Sequence, residues 1–240
     1  MIKRFVSKVF LKIKIEFLFL KKRVDKTVVR NESINKNYIK KFLPARPVII
    51  DAGAHTGGDS IEMCRLYPSS FVHCFEPIPS IFKMLKHNTR KYKRISCHEI
   101  ALSNTNGEQV MNVSSGASDG SSSFLKPMEH LVDHPDVYFK EEIKVKTIKL
   151  DDWAAQNNID KIDFLWLDMQ GFEMEVLKAS SVILPKVKAI HMEVSTRPTY
   201  KGVPLYTEVK EWMQVKGFRV EVEAIPKGWD MGNVLFVRNQ

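Results

Sequence analysis

Cysteine is scarce in this chain. Cys64, Cys74 and Cys97 are odd in number and lack metal-ligand spacing, which argues against a disulfide framework or a zinc site. They read as small buried hydrophobes of a protein kept in a reducing, cytoplasmic compartment. Long apolar runs are missing too. In the first 46 residues the longest is Phe17–Leu20, far short of the ~18 residues a membrane span needs. The same region lacks the unbroken core and small-residue cleavage site of a signal peptide. No G-x-G-x-x-G occurs anywhere, which disfavours a dinucleotide oxidoreductase. Finally, the formal charge of +9 is not spread over the chain. Residues 1–46 hold 14 Lys and Arg against Glu16, Asp25 and Glu32, while the rest holds 23 bases and 25 acids.

What is present first is a basic amphipathic arm. Ile2, Phe5, Val6, Val9, Phe10, Ile13, Phe17 and Leu20 recur at helical spacing, and Lys3, Arg4, Ser7, Lys8 and Lys12 fall largely between them. Two readings stay open: residues 1–24 lie on an anionic membrane surface, making the protein peripheral, or their apolar face docks on the domain or on a second copy. A nucleic-acid partner is disfavoured, because the aromatics share the apolar stripe and do not interleave with the bases. Asn31–Asn37 reads as a linker. The arm and linker therefore occupy residues 1–46, and the domain proper residues 47–240. Nothing in the sequence sets the oligomeric state.

The domain is organised around Val48–Gly58, V-I-I-D-A-G-A-H-T-G-G, a buried strand, a glycine turn and a helix start. Glycines let backbone approach a ligand closely, and the first helical turn offers unsatisfied N–H groups. A βαβ rhythm follows through Phe71–Phe75, Pro79–Asn88 and Ile95–His98. Ser114–Ser123, S-S-G-A-S-D-G-S-S-S, reads as a loop within an insertion, and Ile143–Leu150 as a strand. Ile162–Leu167 is a near-continuous apolar run, a fully buried parallel strand. Val187–Val194 is another. Phe218–Ala224 and Asn233–Arg238 flank a short turn, so one strand of the pair must run against an otherwise parallel sheet.

Ligands of open parallel sheets bind outside the carboxyl ends of the strands. Those ends read Asp51, Glu76, Glu99, Asp168 and Glu193, acids in every case. Such a rim repels a polyanion and suits a ligand with ribose hydroxyls, an ammonium and a cationic centre, the features of S-adenosyl-L-methionine. Glu76 stands where a ribose-binding acid is expected. Glu99 is equally well read as a helix cap.

The segments V-I-I-D-A-G-A-H-T-G-G, C-F-E-P-I-P-S-I-F-K-M-L-K-H-N, A-L-S-N-T-N-G, V-K-T-I-K-L-D-D-W and I-D-F-L-W-L-D-M-Q-G-F-E-M-E-V-L resemble the successive motifs of FkbM-type S-adenosylmethionine-dependent methyltransferases. The likeness covers about residues 47–238. It implies an α/β class I methyltransferase fold, a doubly wound, Rossmann-like seven-stranded sheet with an antiparallel last strand. It also implies methyl transfer to oxygen, on a hydroxyl of a glycan or secondary metabolite. Cofactor contacts are expected from Asp51, Gly53, His55, Gly57, Glu76, Ala101 and Asp168. One position departs from the pattern, since the family commonly has an acid where this chain has Gln170.

A hydroxyl acceptor must lose a proton, and Asp168, Glu173 and Glu193 flank the expected methyl position as catalytic candidates. Glu173 and Glu193 are favoured as the base, leaving Asp168 to the cofactor ammonium or the acceptor. Glu173 has a bland alternative in the first turn of a helix. His130, Asp133, His134 and Asp136 carry ligand-type side chains, but Pro135 interrupts them and no metal is expected. An N-methyltransferase is disfavoured because no Asn/Asp-Pro-Pro-aromatic motif follows the fourth core strand. A membrane-docked binding module without turnover is the alternative outside enzymes.

Overall fold

The computed structural model describes residues 28–30 and 33–239, so the amphipathic pattern of residues 1–24 lies outside the described residues. A short hairpin, β1 (Val29–Arg30) and β2 (Ser33–Ile34), leads into one helical turn, α1 (Lys36–Ile39). Then come β3 (Val48–Ala52), α2 (Gly58–Leu66), β4 (Phe71–Phe75), α3 (Pro79–Thr89), β5 (Ile95–His98), β6 (Ala101–Leu102) and β7 (Gly107–Gly116). After α4 (His130–Asp133) and β8 (Val137–Ile148) the chain alternates again: α5 (Leu150–Gln156), β9 (Phe164–Leu167), α6 (Glu173–Lys178), β10 (Ala189–Ser195) and α7 (Tyr206–Val215). It ends in β11 (Phe218–Ala224) and β12 (Met231–Arg238).

Seven strands form one sheet in the order β11-β12-β10-β9-β3-β4-β5. Only β12 runs against its neighbours, pairing antiparallel with both β10 and β11. β9 sits between β3 and β10 and is buried at every residue, which is why its sequence is continuously apolar and does not alternate. Ile49, Met63, Cys64, Leu85 and Phe164 pack on one face of the sheet, under α2 and α3. Leu165, Trp153, Leu177, Val209 and Met213 pack on the other, under α5, α6 and α7. Cys64 and Cys74 are free and buried.

Two sequence expectations need correction. Within the Asn31–Asn37 segment read as a linker, residues 33–37 are structured: Asn35 caps α1 by accepting from the Asn37 amide at 2.9 Å, and Ile34, with Ile39 just after the segment, is buried against the sheet. The polar letters conceal two apolar anchors too few to show a period. The insertion is also more ordered than its composition suggests. β7 and β8 form a long antiparallel ribbon that β6 extends to three strands. Most of its residues are exposed or half-buried, so a solvated Gly- and Ser-bearing strand resembles a loop.

Candidate functional site

The carboxyl ends of β3, β4 and β9 diverge around a crevice lined by Gly53, His55, Glu76, Ala101 and Asp168, with apolar walls from Phe75, Ile81, Leu102 and Phe172. Glycine is obligatory at 53. Its φ is +83°, and a Cβ there would lie 1.8 Å from the Asp168 carbonyl oxygen, so the turns after β3 and β9 could not close together around any other residue. Gly57, with φ +89°, is also fixed by packing: a Cβ would meet Leu85 Cδ1 at 2.7 Å. It does not line the crevice.

The acids separate by depth. Asp51 is buried below the crevice, where Ser60 Oγ donates to it, and burial pushes its carboxyl up to about 7. Glu76 accepts the Ile78 amide at 2.8 Å and the His55 amide at 3.1 Å, and burial pushes it up to about 7 as well. Asp168 opens into the crevice but is otherwise surrounded by protein, which raises its carboxyl above the usual range. Glu99 is exposed and stands apart from the crevice.

Glu173 is occupied. Its Oε1 accepts the Met169 amide at 2.6 Å and the Gly171 amide at 3.4 Å, so this carboxylate holds the turn that carries Asp168 and Gln170. Glu193 is placed differently. It lines a second, larger cleft of about 580 Å³ with Ser121, Arg197, Thr199, Trp229, Asp230 and Asn233. Burial, followed by the charges of Asp168 and Glu173, raises its carboxyl well above the usual range.

Gln170 lines both cavities and stands between them. Its Nε2 donates to Asp168 Oδ1 and to Glu193 Oε2, each at 2.9 Å, and its Oε1 accepts from the Tyr200 hydroxyl at 3.0 Å. The neutral amide therefore ties a carboxylate of the crevice to a carboxylate of the cleft. Its backbone sits at φ +53°, and Ser123 Oγ donates to its carbonyl at 2.8 Å. The Ser114–Ser123 loop closes over the crevice, where Asp119 lies 3.0 Å from His55 Nε2. Sequence reasoning missed Gln170, Asp119, Tyr200, Arg197 and Asp230 as site residues; only the departure at 170 was a signal.

Glu76 and Asp168 beside an apolar wall fit a ligand that combines a diol, positive charge and a flat base. A doubly wound seven-stranded sheet with a reversed last strand is the class I fold of S-adenosyl-L-methionine-dependent methyltransferases. Within it, the chain belongs to the FkbM methyltransferase family, whose domain, "Methyltransferase FkbM domain", matches residues 51–220. The chain is 33% identical over 161 residues to 2-O-methyltransferase NoeI of Sinorhizobium fredii, covering 65% of this chain and 66% of that protein. It is 25% identical over 158 residues to Methyltransferase 1 of Beauveria bassiana, covering 60% and 63%. The match thus spans just under two thirds of each relative. Among solved structures, the fibrillarin/Nop5p complex matches with a TM-score of 0.50 at 15% identity, over 85% of this chain and 79% of that one, a likeness of fold alone.

The raised carboxyls give stability a definite pH dependence. Asp51, Glu76 and Glu173, near 7 when folded, hold protons that the unfolded chain releases near 4. Their contribution is complete at low pH and lost as pH rises through 7. Burial lowers His73 to about 4 and His191 to about 3, so these two oppose folding once pH falls below their unfolded value. The melting temperature without cofactor is therefore expected to rise from pH 8 to pH 6.5 and to rise less steeply below pH 6, where the two histidines offset part of what the three carboxyls gain. Calorimetric scans across that range check it; a monotonic rise with pH would contradict the assignment.

Proposed function

We propose that this protein transfers the methyl group of S-adenosyl-L-methionine to a hydroxyl oxygen of an acceptor, a glycan or secondary metabolite, bound in the Glu193 cleft. The observation that carries the reading is the contact of two cavities at one residue, Gln170, with a crevice acid on one side and an elevated, cleft-facing acid on the other. The similarity to 2-O-methyltransferase NoeI supports oxygen as the receiving atom.

S-adenosyl-L-methionine supplies a methyl on a sulfonium, already activated towards displacement. The protein must bind it, aim an oxygen at that carbon and remove a proton. Glu76 and Asp168 would hold the diol and the positive charge. Glu193, whose carboxylate burial makes a stronger base, would accept the hydroxyl proton as the oxygen–carbon bond forms and the sulfur–carbon bond breaks. Holding the two reactants in line across the Gln170 partition can supply up to ~7–11 kcal/mol of the barrier. Glu173 acts through the turn it fixes, as a positioning residue.

Residues 1–24 support a peripheral location on an anionic membrane surface through their basic amphipathic pattern. Titration calorimetry with S-adenosyl-L-methionine, followed by labelled methyl transfer to hydroxylated glycans, lipids and metabolites, tests the whole reading. Absence of cofactor binding would leave a non-catalytic module.

A further inference from the structure

The acceptor cleft is polar inside and apolar at its mouth. Glu193, Arg197, Thr199, Asp230 and Asn233 line the interior, and Arg197 pairs with Asp230. At the mouth Trp229 is 57% exposed. Residues 127–129 run beside Thr199 of the cleft wall: Pro127 bridges to Tyr200, and the Met128 amide donates to the Thr199 carbonyl at 2.9 Å. From this stretch Met128, Leu131 and Val132 face solvent, Val132 at 78% exposure.

The described chain that follows the basic arm reaches the same cleft. Ser33 lines the cleft, and β1 turns back on β2 so that the Val28 carbonyl accepts the Asn35 amide at 2.8 Å. Residue 24 is thus joined to the cleft mouth by fewer than ten residues, at most ~30–35 Å of extended chain. The arm carries the whole positive excess of the chain, interleaved with an apolar stripe. An apolar rim beside a basic amphipathic segment matches an anionic bilayer, whose surface attracts Lys and Arg and whose interior accepts the apolar groups.

We propose that the cleft opens onto an anionic membrane and that the acceptor is an amphiphile anchored there, its hydroxylated head in the cleft and its lipid portion in the bilayer. The inference rests on the hydroxyl methyl-transfer reading for its chemistry and on the rim and arm for its location. A water-soluble acceptor would need neither an exposed apolar mouth nor a tethered basic segment.

The test uses the full chain in two arms. In the first, co-sedimentation is measured with phosphatidylcholine vesicles, with and without phosphatidylglycerol. Binding is expected to be at least about tenfold stronger to the anionic vesicles and to weaken as salt rises. Met128→Ser with Val132→Ser, and separately Lys3, Arg4, Lys8 and Lys12→Gln, should each reduce it several-fold. Val215→Ser serves as control, since Val215 is 83% exposed at the far end of α7, beside the strand starts and away from the cleft. Equal binding to both vesicle types, or no loss on changing the rim, would overturn the docking surface.

In the second arm, methyl-labelled S-adenosyl-L-methionine is offered with organic-solvent and aqueous extracts of membranes from the source cells. Label is expected in an organic-extractable product. The rim variant should be slowed on vesicle-embedded extract and match the wild type in detergent micelles. Label confined to water-soluble product would overturn the amphiphilic acceptor. Label in neither fraction would overturn the methyl-transfer reading and the acceptor together, while vesicle binding, which needs no turnover, would still decide the docking surface.

Discussion

Replacing Glu193 by glutamine is expected to cut methyl transfer by roughly 10²–10⁴-fold, the usual worth of a positioned general base, with cofactor affinity held within a few-fold. Glutamine keeps the volume of Glu193 and still presents an oxygen to the Gln170 amide 2.9 Å away, so the partition between crevice and cleft should survive. What it removes is the only function asked of this side chain, acceptance of the hydroxyl proton. Asp168→Asn is the contrasting control: Asp168 lines the crevice, so its loss should weaken cofactor binding first. Titration calorimetry and labelled transfer, run on both variants, separate the roles. Unchanged turnover in Glu193→Gln would remove it from catalysis.

The sequence made the centre of the sheet legible because β3, β9 and β10 announce their own burial. Ile162–Leu167 contains a continuous apolar run only because β9 is covered on both faces, and the short turn before β12 forces the antiparallel end. The acids were legible as a set and not as individuals. Asp51, Glu76, Glu173 and Glu193 look alike as letters, yet Ser60, two backbone amides, a turn and an open cleft give them different work. Those distinctions depend on contacts across many residues, to which one-dimensional spacing is blind. Gly53 shows the same limit. A glycine demanded by a ligand and one demanded by the Asp168 carbonyl oxygen read identically. The cleft was out of reach because Ser121, Glu193, Thr199 and Trp229 come together only in the folded chain.

Gln170→Glu carries the second large effect. Gln170 gives one hydrogen bond each to Asp168 and Glu193, which holds those carboxylates within two hydrogen-bond lengths of each other. A carboxylate at 170 loses both donors and adds a like charge beside two carboxyls already raised by desolvation. The Tyr200 hydroxyl can still donate to it, but the other two contacts turn repulsive. The cost is expected to be on the order of 2–4 kcal/mol at pH 8, or roughly a 5–15 °C fall in melting temperature for a domain of this size. At pH 6 a proton can enter the cluster and restore one donor, so part of the loss should return. Gln170→Met deletes the donors without adding charge, and its deficit should not recover on acidification. Melting curves of both variants at the two pH values decide the matter: parallel losses at both would show that the amide is needed for shape alone.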